Sequence, residues 1–334
     1  MQQPIRVGVY GASGYAGQDL IEILSRHPYV EIVFATSNTY AGQPVPFTDL
    51  SYIPSDEASL VTVDVVFLAL PHGVSAQMAA KALASGVGVI DLSADLRLDT
   101  PEAYEQWYNH PHPHPELLPT PYGLPEINRE NIVGKRLIAA PGCYPTTTLL
   151  GIFPLLHTHA VAPGRPIIVD AKSGVSGAGR DPKPNLHFVE VYSNFSPYNV
   201  GRSHRHVGEI EQEMRKLNDE VGTLIFTPHL LPLDRGLMAS IYVELNGSMT
   251  SDKVQDLYDE YYGQELLVNV LLQGQQATLK HVVRTNGCAI SITPVTEKHI
   301  HITSVTDNLR KGAAGQAVQC FNLMYGFPET TALL

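Results

Sequence analysis

The chain has 334 residues and 44% hydrophobic content, enough for two apolar cores and too much for disorder. Its 33 acidic residues outweigh 22 basic ones, and the formal charge of −11 disfavours nucleic acid and anionic membrane as partners. A small anionic substrate is still compatible, because a few local donors outweigh a diffuse field screened over about 8 Å. Cys143, Cys288 and Cys320 are an odd number with no C-x-x-C pair, which argues against a disulfide framework and a zinc knuckle and fits a reducing compartment. The N-terminus has no signal-peptide pattern, and no run approaches the roughly 20 apolar residues of a membrane span. A soluble, cytoplasmic protein is expected.

In chain order, residues 5–11 read as a β-branched strand ending in glycine, and a helix follows from about Gly14 with Leu20, Ile23 and Leu24 on its apolar face. Residues 30–37, 63–70 and 87–92 read as buried strands, with a helix over 76–85 between the last two. Residues 136–140 form a further apolar run that leads into Pro141-Gly142-Cys143. This alternation predicts an α/β architecture, a Rossmann-type doubly wound parallel sheet. Beyond Cys143 come a helix over 149–156 and longer strands over 167–171, 224–228, 238–245, 288–294 and 299–306. Their alternating pattern predicts a second, α+β domain with a mixed or antiparallel sheet. A final helix, 313–325, is expected to return to the first domain, which gives boundaries of 1–142 with 310–334, and 143–309.

Gly11-Ala12-Ser13-Gly14-Tyr15-Ala16-Gly17 lies between the first strand and the first helix, where the pyrophosphate of a dinucleotide meets main-chain N–H groups and the positive end of a helix dipole. The spacing is G-x-x-G-x-x-G, and a glycine-rich tight turn is the plainer alternative. Its context favours a cofactor. An NAD site places an acidic residue about 20 positions on, to hold the ribose 2′-OH. Here that region reads Ala35-Thr36-Ser37-Asn38, which tolerates a 2′-phosphate and points to NADP(H).

Pro141-Gly142-Cys143-Tyr144-Pro145-Thr146 follows a strand and precedes a helix, and Pro145 suits a first helical turn. Cys143 is therefore placed at a helix N-terminus, where unpaired N–H groups and the dipole stabilise a thiolate and the same amides can receive an oxyanion. Cys288 and Cys320 fall within apolar patterns and read as structural.

His204-Arg205-His206-Val207-Gly208-Glu209 opens a helix with Val207, Ile210, Met214 and Leu217 as its apolar stripe. His206 and Glu209 share a face, so the carboxylate can orient an imidazole that moves protons, although a solvated polar face is the commoner outcome. His204 and His206 have no third ligand at suitable spacing, and no metal is expected. His110-Pro111-His112-Pro113-His114 invites the same metal reading more strongly, but its interleaved prolines favour an extended loop, with a fortuitous surface histidine patch as the open alternative. Ser173 to Arg180 is a glycine-rich loop whose N–H groups approach an anion and whose Arg180 clamps a carboxylate or phosphate; a flexible crossover is the alternative. Pro71, Ser93 and Asn308 sit at strand ends, where they can line a cofactor.

Taken together, Gly11 to Gly17, Asp91-Leu92-Ser93-Ala94-Asp95-Leu96-Arg97, Pro141 to Thr146, Ser173 to Arg180, His204 to Glu209 and Asp307 to Gly312 resemble the N-acetyl-γ-glutamyl-phosphate reductase family, which shares its architecture with aspartate-semialdehyde dehydrogenase. The resemblance spans nearly the whole chain. It implies NADPH-dependent reduction of an acyl phosphate to an aldehyde in arginine biosynthesis, with Cys143 as the nucleophile that carries a thioester. It implies His206 as acid/base, His204 as second choice, and Glu209 and Tyr198 as supports. Candidate cofactor contacts are Gly11, Ser13, Gly14, Tyr15, Ala16, Gly17, Ser37, Pro71, Ser93, Ser173, Gly174 and Asn308; candidate substrate contacts are Arg97 and Arg180. A homo-oligomer, dimer or tetramer, is expected. Thr147 departs from the pattern, where Gly or Ala is usual, as does Gly208, where Pro is frequent. The rivals are a reductase for an aspartyl or carrier-linked aminoadipyl phosphate, a cysteine hydrolase built on Cys143 and His206, and a cofactor-binding sensor without catalysis.

Overall fold

A computed structural model describes residues 3–334. They divide into two compact units, one running to Gly142 and resuming over Ala313–Leu334, the other spanning Cys143–Gly312.

The first unit contains β1 (Ile5–Tyr10), α1 (Tyr15–Leu24), β2 (Val30–Ala35), β3 (Val65–Leu68), α2 (Ser75–Ala84), β4 (Gly88–Asp91), α3 (Pro101–Tyr108), α4 (Pro125–Ile132) and β5 (Leu137–Ala139). Its five strands are parallel, in the order β2-β1-β3-β4-β5. Both faces of this sheet are covered, which is why β3 is an unbroken apolar run rather than an alternating one. Val66 and Leu68 pack with Ala76, Ala79 and Ala82 of α2, while Phe67 faces Phe321 of the C-terminal helix, ring centroids 5.8 Å apart. Strand order reverses between β1 and β3, and a crevice for a ligand opens at the carboxyl ends of the strands at such a point.

The second unit contains α5 (Cys143–His157), β6 (Ile167–Gly174), α6 (Phe188–Val191), β7 (Ser196–Pro197), α7 (His206–Leu217), β8 (Leu224–Leu231), β9 (Leu237–Glu244), α8 (Ser251–Tyr262), β10 (Val268–Val270), β11 (Cys288–Pro294) and β12 (His299–Thr306). Its seven strands form a mixed sheet in the order β10-β11-β12-β9-β6-β8-β7. Alternation along β6 buries Ile167, Val169 and Ala171 and turns Ile168 outward. Helix α5 is buried from Tyr144 to Leu156 and presses on β9 and β12 at Gly151, where an added Cβ would lie 2.7 Å from Ile241 Cδ1. Pro154 has no N–H to offer the carbonyl of Leu150 one turn back. The Tyr262 hydroxyl of α8 supplies the missing donor at 2.6 Å, and the Tyr258 hydroxyl donates to the neighbouring Gly151 carbonyl at 2.6 Å. A π-turn, Arg310–Ala314, then leads into α9 (Gly315–Tyr325), which packs on α1 and α4 of the first unit.

The expected doubly wound parallel sheet and the expected mixed sheet are both present. Several local expectations need correction. β6 runs on to Gly174, so Ser173 and Gly174 are strand residues rather than the start of the loop. α3, α4, α8 and β10 did not figure in the sequence reading. α3 is capped by the Thr100 hydroxyl, which accepts from Ala103 N–H at 3.1 Å. His112 is not part of a surface patch: it is buried, its Nε2 donates to the Asp95 carbonyl at 2.8 Å, and its Nδ1 accepts from His114 N–H at 3.0 Å. Among the described residues no helix is long and apolar enough to cross a membrane.

Candidate active site

In the first unit, the glycine turn follows β1 at the order reversal. Gly11 adopts φ +72°, and a Cβ there would lie 2.2 Å from the Ala69 carbonyl oxygen in the segment after β3. A Cβ on Gly17 would lie 2.4 Å from the Gly11 carbonyl oxygen and 2.7 Å from Ala12 Cα, so helix and turn touch only because residue 17 has no side chain. Gly14 is different: its Cβ would meet nothing nearer than the Gly11 carbonyl oxygen at 3.4 Å, leaving room for a ligand beside the main chain. Helix α1 starts at Tyr15 with no acidic side chain in its first turn and no side-chain cap from Gly14. An unopposed helix N-terminus beside an open glycine fits a dinucleotide's pyrophosphate. Ala16 follows within that first turn. The Ser13 and Ser37 hydroxyls lie 2.8 Å apart, tying the turn to the chain leaving β2, and Ser37 Oγ also accepts from Tyr40 N–H.

Asp95 organises the segment after β3. Its Oδ1 accepts from Gly73 N–H at 2.7 Å and from the Tyr104 hydroxyl at 2.9 Å, while Oδ2 accepts from Ala76 N–H at 3.0 Å in the first turn of α2. Pro71 is exposed on the segment so fixed. The Ser93 hydroxyl donates to Asp91 Oδ2 at 2.8 Å, and burial pushes the Asp91 carboxyl up to about 6. Arg97, expected at the substrate, is buried and braces the ends of β4 and β5: Nε donates to the Ala140 carbonyl at 2.9 Å and Nη2 to that of Leu92 at 2.8 Å.

In the second unit, Cys143 is the first residue of α5 and half-buried. An added Cβ on Gly312 would lie 2.9 Å from Cys143 Cβ, so the π-turn backs directly onto the cysteine. Tyr144 is buried and holds an aromatic cluster together. Its ring meets His204 edge-on with centroids 5.6 Å apart, His206 at 6.0 Å and Phe226 at 5.3 Å. His204 and His206 have centroids 4.8 Å apart. The Tyr198 hydroxyl donates to Tyr144 Oη at 3.2 Å, and Tyr144 Oη donates to the His229 carbonyl at 3.3 Å. Burial raises both phenols, with the Cys143 charge adding to each, so they stay protonated.

The two histidines are not equivalent. Burial, aided by the Arg205 charge, pushes His204 down to about 4, and its Nδ1 accepts the His206 main-chain N–H at 3.2 Å. At neutral pH His204 is thus an uncharged ring whose tautomer is set by that bond. Glu209 is buried, one turn along α7 from His206.

Ser173 is buried, its hydroxyl donating to the Gly174 carbonyl at 3.0 Å. Gly174 is a close-packed position, where a Cβ would lie 2.8 Å from Arg235 N. Asn308 stitches two loops together: Oδ1 accepts from Gly236 N–H at 2.8 Å and Nδ2 donates to Ser176 Oγ at 2.9 Å. Arg180 lies exposed just after Gly179. The second unit therefore gathers Cys143, Tyr198, His204 and His206 around Tyr144, whereas Arg180 stands on the outer part of its loop. Sequence reasoning overlooked Tyr144 and Asp95. The signal for Tyr144 was a hydroxyl-bearing ring entering a helix of high apolar content, and for Asp95 an acid two residues before the basic end of its motif.

A nucleotide-type parallel sheet joined to a mixed-sheet unit that opens on a thiol at a helix N-terminus defines the semialdehyde dehydrogenase class of oxidoreductases. Residues 6–135 match the model for the semialdehyde dehydrogenase NAD binding domain and 143–308 that for the semialdehyde dehydrogenase dimerisation domain. Aspartate semialdehyde dehydrogenase II of Vibrio cholerae shares the fold, with a TM-score of 0.78 over 97% of this chain and 99% of that one at 21% identity. The enzyme of Candida albicans, solved with NADP, has a TM-score of 0.71 over 97% of this chain and 99% of that one at 17% identity. Within this class the chain belongs to the N-acetyl-gamma-glutamyl-phosphate reductase family. It is 45% identical to the member from Desulforudis audaxviator, covering 99% of this chain and 98% of that one, and 44% identical to the member from Symbiobacterium thermophilum, covering 99% and 97%.

Proposed function

We propose that this chain reduces N-acetyl-L-glutamyl 5-phosphate to N-acetyl-L-glutamate 5-semialdehyde and phosphate with NADPH, in cytoplasmic arginine biosynthesis. The observation that carries the reading is the position of Cys143 as the first residue of α5, amid Tyr144, Tyr198, His204 and His206. A thiol there is readied as a thiolate by unpaired amides and the dipole. It attacks the acyl carbon, the carbon–oxygen bond to phosphate breaks, and a thioester forms on Cys143. His206 takes the thiol proton and Glu209 orients its ring, while the amides of the first turn receive the oxyanion. Bound NADPH supplies the hydride. As the carbon–sulfur bond then breaks, His206 returns the proton and the aldehyde leaves.

The cofactor is read at the glycine turn. Gly11 and Gly17 shape it, Gly14, Tyr15 and Ala16 bring main-chain N–H groups to the phosphates, and Ser13, Pro71, Ser93, Ser173, Gly174 and Asn308 line the rest. The Ser13–Ser37 hydroxyl pair, with no carboxylate over residues 35–38, supports NADP over NAD. Arg180 and Arg97 are the residues proposed for the anionic substrate. Self-association is supported by the outer face of the seven-stranded sheet, where Ile168 stands in register with Ile225 and Tyr242 and all three are exposed.

The test is phosphate-dependent reduction of NADP by N-acetyl-glutamate semialdehyde, in wild type and Cys143→Ser. Wild type should turn over with NADP in preference to NAD, and the variant should lose at least about a thousandfold in kcat. A preference for aspartate semialdehyde would overturn the substrate, equal use of NAD the cofactor, and an active Cys143→Ser the mechanism.

A further inference from the structure

Thr147 lies one turn into α5 and is fully buried, at the position that departs from the family pattern. Its hydroxyl donates to the Cys143 carbonyl at 2.9 Å and lies 2.7 Å from Thr306 Oγ1 at the end of β12. A hydroxyl has one proton. With that of Thr147 committed to Cys143, Thr306 must donate to Thr147, and a directed chain of two buried hydroxyls ends on the carbonyl of the cysteine.

The Cys143 carbonyl and the Tyr144 N–H belong to a single rigid peptide plane. A clamp on the oxygen therefore sets the direction of that N–H. The Tyr144 amide lies in the first turn, where no intrahelical acceptor exists, so it is one of the few donors available to the sulfur and to an oxyanion. Pro145 removes the next N–H altogether, which concentrates the work on what is left. Donation into the carbonyl also polarises the amide and makes its N–H a stronger donor, more so when the donating hydroxyl is itself polarised by another. Gly312 closes the other side, because its α-carbon region leaves Cys143 Cβ no room to retreat.

We propose that Thr147, anchored by Thr306, is a positioning residue for Cys143 that acts through the Cys143–Tyr144 peptide. The bland alternative is a buried threonine that satisfies its hydroxyl on the carbonyl one turn back. That alternative affects stability and leaves the sulfur alone. The proposal rests on Cys143 being the nucleophile, so the experiment separates the two.

The measurement is the pH dependence of iodoacetamide alkylation at Cys143, read by mass spectrometry on the full-length protein, together with kcat and KM. Thr147→Val keeps the shape and deletes the hydroxyl. It should raise the alkylation midpoint by about half a pH unit or more and lower kcat about tenfold, with KM changed less than about twofold. Thr147→Ser should restore both, and Thr306→Val should move both the same way by less. A wild-type midpoint and kcat in Thr147→Val, or Thr147→Ser behaving like Thr147→Val, overturns the proposal. Should Thr147→Val not fold, Thr306→Val decides, since a wild-type midpoint there is equally fatal. Retained turnover in Cys143→Ser sinks the nucleophile itself, whereas lost turnover there with an unshifted Thr147→Val sinks only this inference.

Discussion

Two turns in this molecule solve the same backbone problem with opposite materials. Each leads from a parallel strand into a helix N-terminus, Gly11 to Gly17 after β1 and Pro141 to Cys143 after β5. The first is stripped of side chains: two of its glycines are needed by the fold, and the third leaves a space that the fold does not use. The second is dressed, with a thiol, a buried phenol and a proline in the opening turn of α5 and two imidazoles packed against the phenol. A bare terminus suits a ligand held by main-chain amides, whereas covalent chemistry needs a side chain whose neighbours hold it still. Substitution should accordingly be punished for different reasons in the two places.

The largest effect is expected at Gly17. Its Cβ would strike main-chain atoms, which cannot move aside as a flexible side chain can, so Gly17→Ala should cost about 3 kcal/mol in chemical denaturation. Normal stability in that variant would show that turn and helix are not in the contact described. Next is acid. His204 is held near 4, below its ordinary 6.5, so the unfolded chain takes up the proton first as pH falls. Stability present above pH 6.5 is then lost progressively toward pH 4, by about 3 kcal/mol at most. His204→Asn keeps an acceptor for His206 N–H and should flatten this limb of the pH–stability curve; an unchanged slope would place the acid sensitivity elsewhere. The smallest effect sharpens the comparison most. Gly14→Ala should leave the denaturation midpoint within about 0.5 kcal/mol of wild type while weakening NADPH binding about tenfold by fluorescence titration. Unchanged binding would remove the ligand from that turn.

Much of this was legible in the sequence, and the failures have physical causes. The strands of the first unit declare themselves because burial on both faces demands continuous apolar runs such as Val65 to Leu68. Cys143 is legible because a strand, a Pro-Gly break and an apolar helix leave it one place to go. Helix α8 escaped because its buried stripe is Val254, Tyr258 and Tyr262, and the tyrosines carry the apolar area while looking polar; their hydroxyls are spent on carbonyls of α5. The burial of His112 was not legible because a histidine between prolines gives no hint that its ring turns inward to the Asp95 carbonyl. The burial that sets His204 apart was beyond residue patterns, since Phe226, Tyr144 and Tyr198 come from three separate segments, and only the family resemblance had ranked the two histidines.

The contact between Gly312 and Cys143 has a topological consequence. These residues are the last and the first of the second unit, so the ends of that unit meet. A segment whose ends touch behaves as an insertion: it can in principle be excised and closed by a short linker, or reopened at an exposed loop without disturbing its sheet. Cys143 then lies at that closure, and Gly312, whose missing side chain lets the two ends meet, is a residue that a permuted version must carry over unchanged.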